Sequence, residues 1–180
     1  MERLTVDTVV YQPVEVVYDF LLDFPRYANY SEYLESVEEL GPGADEQARY
    51  ALRFAWWKLS YTARSAVTET VPHERIEWTI LGDFEAGGRW LVEERETLPD
   101  DAPEWAETAT SVRFEVSWNP ESVNSGMVDL PRLVSLGWVI DKVEPIVEKE
   151  AKRVVSRAAR DLEGRSRAVD LTVETEHVAD

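Results

Sequence analysis

Residues 4–30, LTVDTVVYQPVEVVYDFLLDFPRYANY, decide the fold, because an alternating pattern changes there into a helical one. Apolar and polar side chains alternate over residues 4–11, which predicts a strand with one buried face. Pro13 then opens a segment whose apolar residues recur at helical spacing, and a second short helix can begin at Asp23, with Pro25 in its first turn. The chain therefore opens with one strand followed by two short helices.

The chain from residue 33 to residue 118 predicts six further strands. Its alternating runs are separated by clusters rich in Gly and Pro, which interrupt regular structure. Successive hairpins of this length favour an antiparallel meander. We predict the strands at residues 33–40, 47–57, 58–70, 75–81, 88–98 and 107–118.

A long amphipathic helix is predicted over residues 136–162. It would be about 37 Å long at the usual rise per residue, and Gly164 is a suitable stop signal. The connection before it, residues 119–131, has no periodicity, and long connections of this kind often act as lids. One apolar stripe runs along the helix and consists of Ile140, Val143, Val147, Ala151, Val154, Ala158 and Leu162.

The order of elements predicts an α+β fold in which a curved, seven-stranded antiparallel sheet wraps around the C-terminal helix. We assign residues 1–163 to one ligand-binding domain. Residues 164–180 form a polar tail with a weak strand-like segment at residues 169–173.

This fold predicts an internal cavity. A strongly twisted sheet curls, and a single helix stripe cannot fill its concave side. The residues that alternate towards one face are heavily aromatic, which is typical of small-molecule pockets. The alternative is that these rings simply fill the core. We predict the ligand-binding residues to be Leu52, Phe54, Trp56, Tyr61, Ile76, Trp78, Ile80, Trp90, Val92, Glu94, Val112, Phe114, Val116 and Trp118.

The chain is strongly acidic. Its 36 Asp and Glu residues outweigh 19 Lys and Arg residues, which gives a formal net charge of −17, and only four of the basic residues are Lys. Such a surface should repel nucleic-acid phosphates and anionic lipids. We interpret the charge as adaptation to high salt, the alternative being an ordinary acidic cytosolic protein.

Several kinds of chemistry are excluded or disfavoured. The chain has no Cys, which excludes disulfides, thiolate nucleophiles and Cys-based metal sites. The glycines at 41 and 43 precede a strand and predict a turn, not a phosphate loop. His73 lies in a Pro-His turn and His177 in the tail, so a His-based triad or metal cluster is not expected. We predict no metal, no cofactor and no clear catalytic residue.

No targeting or membrane segment is expected. The first residues carry charge and alternate instead of forming the continuous apolar stretch of a signal peptide. No run approaches the roughly 20 apolar residues that a membrane helix needs. We therefore expect a cytoplasmic protein, and the sequence leaves its oligomeric state open.

Residues 9–27, VVYQPVEVVYDFLLDFPRY, resemble the opening of the helix-grip superfamily, which includes START domains, Bet v 1 proteins and polyketide cyclase/dehydrase-like proteins. Residues 18–27 and 34–37 are most similar to the coenzyme Q-binding group. The resemblance covers residues 2–163 and implies a helix-grip fold with an internal hydrophobic site. Tyr30 and Tyr33 depart from the aromatic-Pro step common in relatives, so the resemblance does not carry over a ligand.

Three functions fit these observations. The first is binding or carriage of a hydrophobic molecule, such as a lipid, an isoprenoid quinone or an aromatic polyketide. The second is a cyclase or dehydratase, in which Tyr61, Glu94 or Arg113 would polarise a carbonyl or move a proton. Glu94 is otherwise a solvated strand residue. The third is a protein-interaction module with an open apolar groove.

Overall fold

In a computed structural model, the described residues form an eight-stranded antiparallel sheet and two α-helices. The structure describes the backbone of residues 1–56, 59–122 and 136–178, and their side chains except at residues 59 and 136–148. The strands are β1 (Glu2–Val10), β2 (Leu34–Pro42), β3 (Ala48–Trp56), β4 (Leu59–Val71), β5 (Arg75–Leu81), β6 (Ala86–Glu94), β7 (Thr110–Trp118) and β8 (Leu171–His177).

The sheet has the order β2-β3-β4-β5-β6-β7-β1-β8. The predicted antiparallel meander is confirmed, and the strand count is eight instead of seven. The additional strand comes from the predicted tail, where Val173 pairs with Val6 of β1. Its outward residues Thr172, Glu174 and Glu176 are polar, which leaves only a weak sequence signal for a strand.

The first helix, α1 (Val14–Leu22), begins immediately after Pro13, whose missing N–H is harmless at a helix start. A short 3-10 helix, Phe24–Asn29, follows it as predicted. Of the predicted connection 119–131, Pro120–Ser122 form a second 3-10 helix, and residues 123–131 lie outside the described residues.

The C-terminal helix, α2, runs over Leu136–Glu163, in agreement with the predicted range. Val154, Ala158 and Leu162 of its predicted stripe pack against the core. The side chains of Ile140, Val143 and Val147 lie outside the described ones. Within the described part of the chain, no helix has the length and apolar character of a membrane span.

The core lies on one face of the sheet, which we call the inner face. Val17, Tyr18 and Leu21 of α1 are buried there against Ile76 of β5 and Val92 of β6. Burial of each such side chain contributes about 1.5–3 kcal/mol. The opposite face, called the outer face, carries mostly charged and polar residues. The helix α1 and the described C-terminal part of α2 therefore cover the inner face.

The end of α2 is held against β1 by a buried ion pair. Arg167 donates two hydrogen bonds, of 2.8 and 2.7 Å, to the two carboxylate oxygens of Glu163. Glu163 also accepts a 3.0 Å hydrogen bond from the backbone N–H of Tyr11, and Arg167 donates one of 2.8 Å to the carbonyl oxygen of Val9. These contacts join α2, β1 and the segment that leads to β8.

Candidate ligand-binding site

The cross-strand register places the predicted ligand-binding residues on one face. Phe114 of β7 pairs with Trp90 of β6, which pairs with Ile76 of β5. Directly paired residues project from the same side of a sheet, and Phe114 also pairs with the buried Val6 of β1. The same reasoning assigns to the inner face Leu52, Phe54, Trp56, Tyr61, Ile76, Trp78, Ile80, Trp90, Val92, Val112, Phe114, Val116 and Trp118.

The exposure of these residues changes along the strands. Ile76, Val92 and Val112 are buried beneath α1 and form what we call the closed end of the inner face. Towards the β3–β4 hairpin, Tyr61 is half-buried and Phe54 is 37% exposed. We call this region the open end. The residues at the closed end serve as core, whereas the rings towards the open end retain surface that a ligand could cover.

Trp78 lies flat against the sheet because Gly88 has no side chain. The two residues are paired across β5 and β6, and a methyl group added at Gly88 would come within 2.6 Å of Cζ2 of Trp78. With that space free, the Trp78 ring stacks on Phe114, two strands away, at 6.2 Å and 15°. Glycine thus allows the broad ring surface to face the interior.

Trp90 connects this stack to the 3-10 helix. Its ring lies 4.5 Å from that of Phe114 and 6.3 Å from that of Tyr27. The Tyr27 hydroxyl donates a 2.5 Å hydrogen bond to the carbonyl oxygen of Leu21. Burial raises the pKa of Tyr27 above its ordinary value, so this phenol stays neutral, and its ring packs edge-on against that of Trp90.

Two aromatic residues of the opening segment complete the wall. Phe24 lies 5.4 Å from Tyr27 and 4.9 Å from Tyr50 of β3, between ring centroids. Sequence analysis did not assign Phe24 and Tyr27 to the site, although both occur in the segment that carries the family resemblance. Their role depends on how the 3-10 helix packs on the sheet, which strand alternation alone does not reveal. The result is a continuous series of rings from Tyr50 to Trp78.

Two phenols supply polar groups to this face. Burial raises the pKa of Tyr61, and burial with the nearby Glu39 and Asp23 carboxylates raises that of Tyr50. Both phenols are therefore neutral near pH 7. Within the described residues, neither hydroxyl makes a hydrogen bond. A neutral phenol can donate a hydrogen bond to a carbonyl or quinone oxygen, but it is a poor general base.

Glu94 and Arg113 lie away from the series of rings. The pairing of Glu94 with Thr110 puts it on the inner-face side of β6, beyond the closed end. Glu94 is exposed at the end of β6, and Arg113 projects from the outer face, where it donates hydrogen bonds of 2.6 and 3.2 Å to Asp7. Both border a cleft of about 870 Å³. Its rim also includes Arg75 and Glu74. The cleft is lined by these charged groups together with Val14, Leu91 and Val92. This mixed lining suits a flat apolar ligand less well than the series of rings does, so we place the candidate site at the open end of the inner face.

The two histidines are remote from the inner face. His73 is exposed in the β4–β5 turn with its ring edge-on to Tyr18, and His177 lies 2.7 Å from Glu2 at the end of β8. Over the described residues, no group of three His, Asp or Glu side chains is arranged to hold a metal ion. The described groups at the open end of the inner face are aromatic rings and the phenols of Tyr50 and Tyr61.

The sequence matches one protein family over most of its length. The family described as polyketide cyclase / dehydrase and lipid transport matches residues 10–135, which include α1 and β2 to β7. The chain belongs to this family. The helix-grip resemblance noted from residues 9–27 is thereby confirmed. No curated protein matches this polyketide cyclase/dehydrase family member significantly in sequence.

Solved structures share the fold of this family member at low sequence identity. A START superfamily protein from Mycobacterium smegmatis matches at 14% identity and a TM-score of 0.60, over 90% of this chain and 99% of its own. The Zhui aromatase/cyclase from Streptomyces sp. R1128 matches at 19% identity and 0.59, over 93% and 98%. A Thermus thermophilus protein matches at 15% identity and 0.57, over 90% and 97%. These likenesses establish the helix-grip fold alone.

Proposed function

We propose that the protein binds and carries a flat, hydrophobic small molecule on the inner face, with an isoprenoid quinone or an aromatic polyketide as the ligand class. The observation that carries the proposal is the continuous series of rings from Tyr50 to Trp78, which remain only partly buried. A planar ligand would cover that surface, with a favourable contribution of about 25 cal/mol per Å² of apolar area.

The polar groups support carriage more than catalysis. Of the three residues suggested for a cyclase, only Tyr61 lies at the open end of the inner face. Glu94, exposed beyond the closed end, and Arg113 of the outer face line the separate cleft of about 870 Å³. A single neutral phenol can orient a ligand oxygen but does not provide the acid and base pair that a cyclisation or dehydration uses. A cyclase remains the second candidate because the family and the Tyr61 phenol are both compatible with it.

Tryptophan fluorescence tests the proposal. A titration with a short-chain benzoquinone should quench Trp emission saturably, with one site per chain. Trp78→Leu and Phe114→Leu keep much of the apolar volume but remove a ring face, so each should weaken binding by about 2- to 12-fold, the loss of about 0.5–1.5 kcal/mol of aromatic contact. A tetracyclic aromatic probe should show the same pattern.

Trp105→Phe is the matched control. Trp105 contacts Tyr11 edge-on at 5.9 Å and lies beneath Arg165, away from the inner face. Its substitution changes the fluorescence baseline but should leave the dissociation constant unchanged. Equal affinities for all four proteins, with the variants folded, would mean that Trp78 and Phe114 are only core residues.

A further inference from the structure

Ser65 of β4 carries a buried hydroxyl group without a hydrogen-bond partner. The residue is 8% exposed, and its Oγ neither donates nor accepts a hydrogen bond among the described residues. The other polar residues buried in the described part of the chain are satisfied. Thr110 donates a 2.8 Å hydrogen bond to the carbonyl oxygen of Gln12, and Glu163 accepts the bonds described above. A buried, unpaired hydroxyl is unfavourable for the fold, so that of Ser65 is available to a ligand.

Ser65 lies on the inner face, between the two ends of the series of rings. It pairs with Tyr50 of β3 on one side and with Ile80 of β5 on the other. Tyr50 is one end of the series, and Trp78, the other end, is the neighbouring inner-face residue of Ile80 along β5. Cβ atoms of directly paired residues lie about 4.5–5.5 Å apart. A planar ligand that contacts both Tyr50 and Trp78 therefore passes over Ser65.

Small side chains leave space along β4. The neighbouring inner-face residue of Ser65 is Ala63, which is 4% exposed and pairs with the larger Leu52. Two small residues in succession, flanked by larger side chains on β3 and β5, form a trough along the strand. The trough leads to Tyr61, the next inner-face residue, which is half-buried at the open end. Ser65 is thus a polar group at the inner end of a path from the open end.

We propose that the Ser65 hydroxyl binds an oxygen atom on the ring of the ligand and is the polar anchor that fixes its orientation. The oxygen-bearing edge of the ring lies at Ser65, between Tyr50 and Trp78, and an aliphatic tail runs along the trough to the open end. This inference rests on the proposed function, because it concerns the same site. It narrows the ligand to a planar ring with an oxygen substituent on the edge that enters first.

The ring oxygen is an uncharged one. A serine hydroxyl both donates and accepts hydrogen bonds, so it fits the carbonyl oxygen of a quinone as well as a phenolic hydroxyl. Tyr50 pairs with Glu39 of β2, and burial, followed by the Glu39 and Asp23 carboxylates, raises the pKa of Tyr50. These carboxylates would repel an anion beside Ser65, and burial of an unpaired carboxylate is costly. Fatty acids are therefore not expected as ligands.

Two probes of matched shape test the proposal. Menadione and 2-methylnaphthalene share a bicyclic carbon skeleton with one methyl group, but only menadione carries carbonyl oxygens. In tryptophan-fluorescence titrations, Ser65→Ala should weaken menadione binding about five-fold, the equivalent of one net hydrogen bond. The same substitution should leave the affinity for 2-methylnaphthalene equal or higher, because this probe would cover the wild-type hydroxyl without bonding to it.

Ser60→Ala is the matched control. It deletes the same atom on the same strand, but Ser60 directly precedes Tyr61 and therefore projects from the outer face. Its affinities for both probes should equal those of wild type. A loss of menadione affinity as large as that of Ser65→Ala would mean that the effect does not come from a contact on the inner face, and it would overturn the proposal.

The stability of the ligand-free protein provides an independent measurement. Because Ser65 makes no side-chain hydrogen bond with the described residues, Ser65→Ala should have the same denaturant midpoint as wild type or a higher one. A clearly lower midpoint would show that the hydroxyl stabilises the fold itself, and its role as the anchor would be wrong.

The two probes also separate the anchor from the proposed function. If both bind wild type saturably and Ser65→Ala weakens them equally or not at all, the anchor is wrong and the ligand site stands. If neither probe binds wild type, the proposed function itself is contradicted, and the anchor with it.

Discussion

The buried pair of Glu163 and Arg167 allows a sharp stability prediction. The Glu163 side chain is 0% exposed and that of Arg167 is 15% exposed. Removing one partner of such a pair leaves an uncompensated buried charge and typically costs about 3–5 kcal/mol. Arg167 also stacks on the Tyr11 ring at 4.6 Å. We therefore expect Arg167→Met, which retains an unbranched apolar side chain, to be strongly destabilising.

The size of the effect is measurable by thermal melting. For a chain of this length, each kcal/mol lowers the melting temperature by about 2–4 °C. Arg167→Met should thus melt roughly 6–20 °C below wild type, as followed by far-UV circular dichroism at a fixed KCl concentration. Denaturant titration under the same conditions gives the free energy directly and shows whether its slope is preserved.

A second substitution distinguishes the lost pair from simple loss of packing. Glu163→Gln in the Arg167→Met background removes the unpaired charge and keeps an oxygen acceptor for the Tyr11 N–H. The double variant should therefore be more stable than Arg167→Met by at least about 1 kcal/mol. If Arg167→Met melts within about 2 °C of wild type, or if the two substitutions simply add, the reasoning from buried charge is wrong.

Three further predictions concern the core and the surface. Gly88→Ala should cost about 1–3 kcal/mol in denaturant titration, because the new methyl group would press on Trp78 and on the Glu115 carbonyl oxygen, and Gly87→Ala should cost less. Burial and the hydrogen bond to Asp161 raise the pKa of Tyr30 from 10.0 to about 12. Its contribution to stability is complete below pH 10 and falls as the pH rises towards 12, and Tyr30→Phe should remove that part of the loss. The melting temperature should rise steeply between about 0.1 and 2 M KCl as salt screens the carboxylates; an unchanged value would count against adaptation to high salt.

The inner-face residues could be assigned from the sequence because strands alternate strictly. Once one residue of a strand is assigned to a face of the sheet, alternation gives the face of its neighbours along that strand. Hairpin pairing then brings distant strands into one surface, as for Trp78 and Phe114. The C-terminal helix, the remaining element of the fold, was predicted from its apolar stripe and from the family resemblance.

Features that depend on tertiary packing were not predictable in this way. Phe24 and Tyr27 join the wall because a 3-10 helix turns them towards β3 and β6. The pair of Glu163 and Arg167 lies where the sequence indicated only a helix end and a polar tail. Arg113 was considered as a catalytic residue, although its neighbours Val112 and Phe114 occupy the inner face, and alternation alone places it outside.

The position of β1 between β7 and β8 has a consequence for the evolution of this chain. Every residue of the segment Glu2–Thr8 is paired on one side with β7 and on the other side with β8. An inserted or deleted residue within β1 would turn Leu4 and Val6 away from the core. It would also shift the register of β1 with both β7 and β8. Length variation among relatives should therefore accumulate in the turns, and β1 should keep a constant length even where its side chains change.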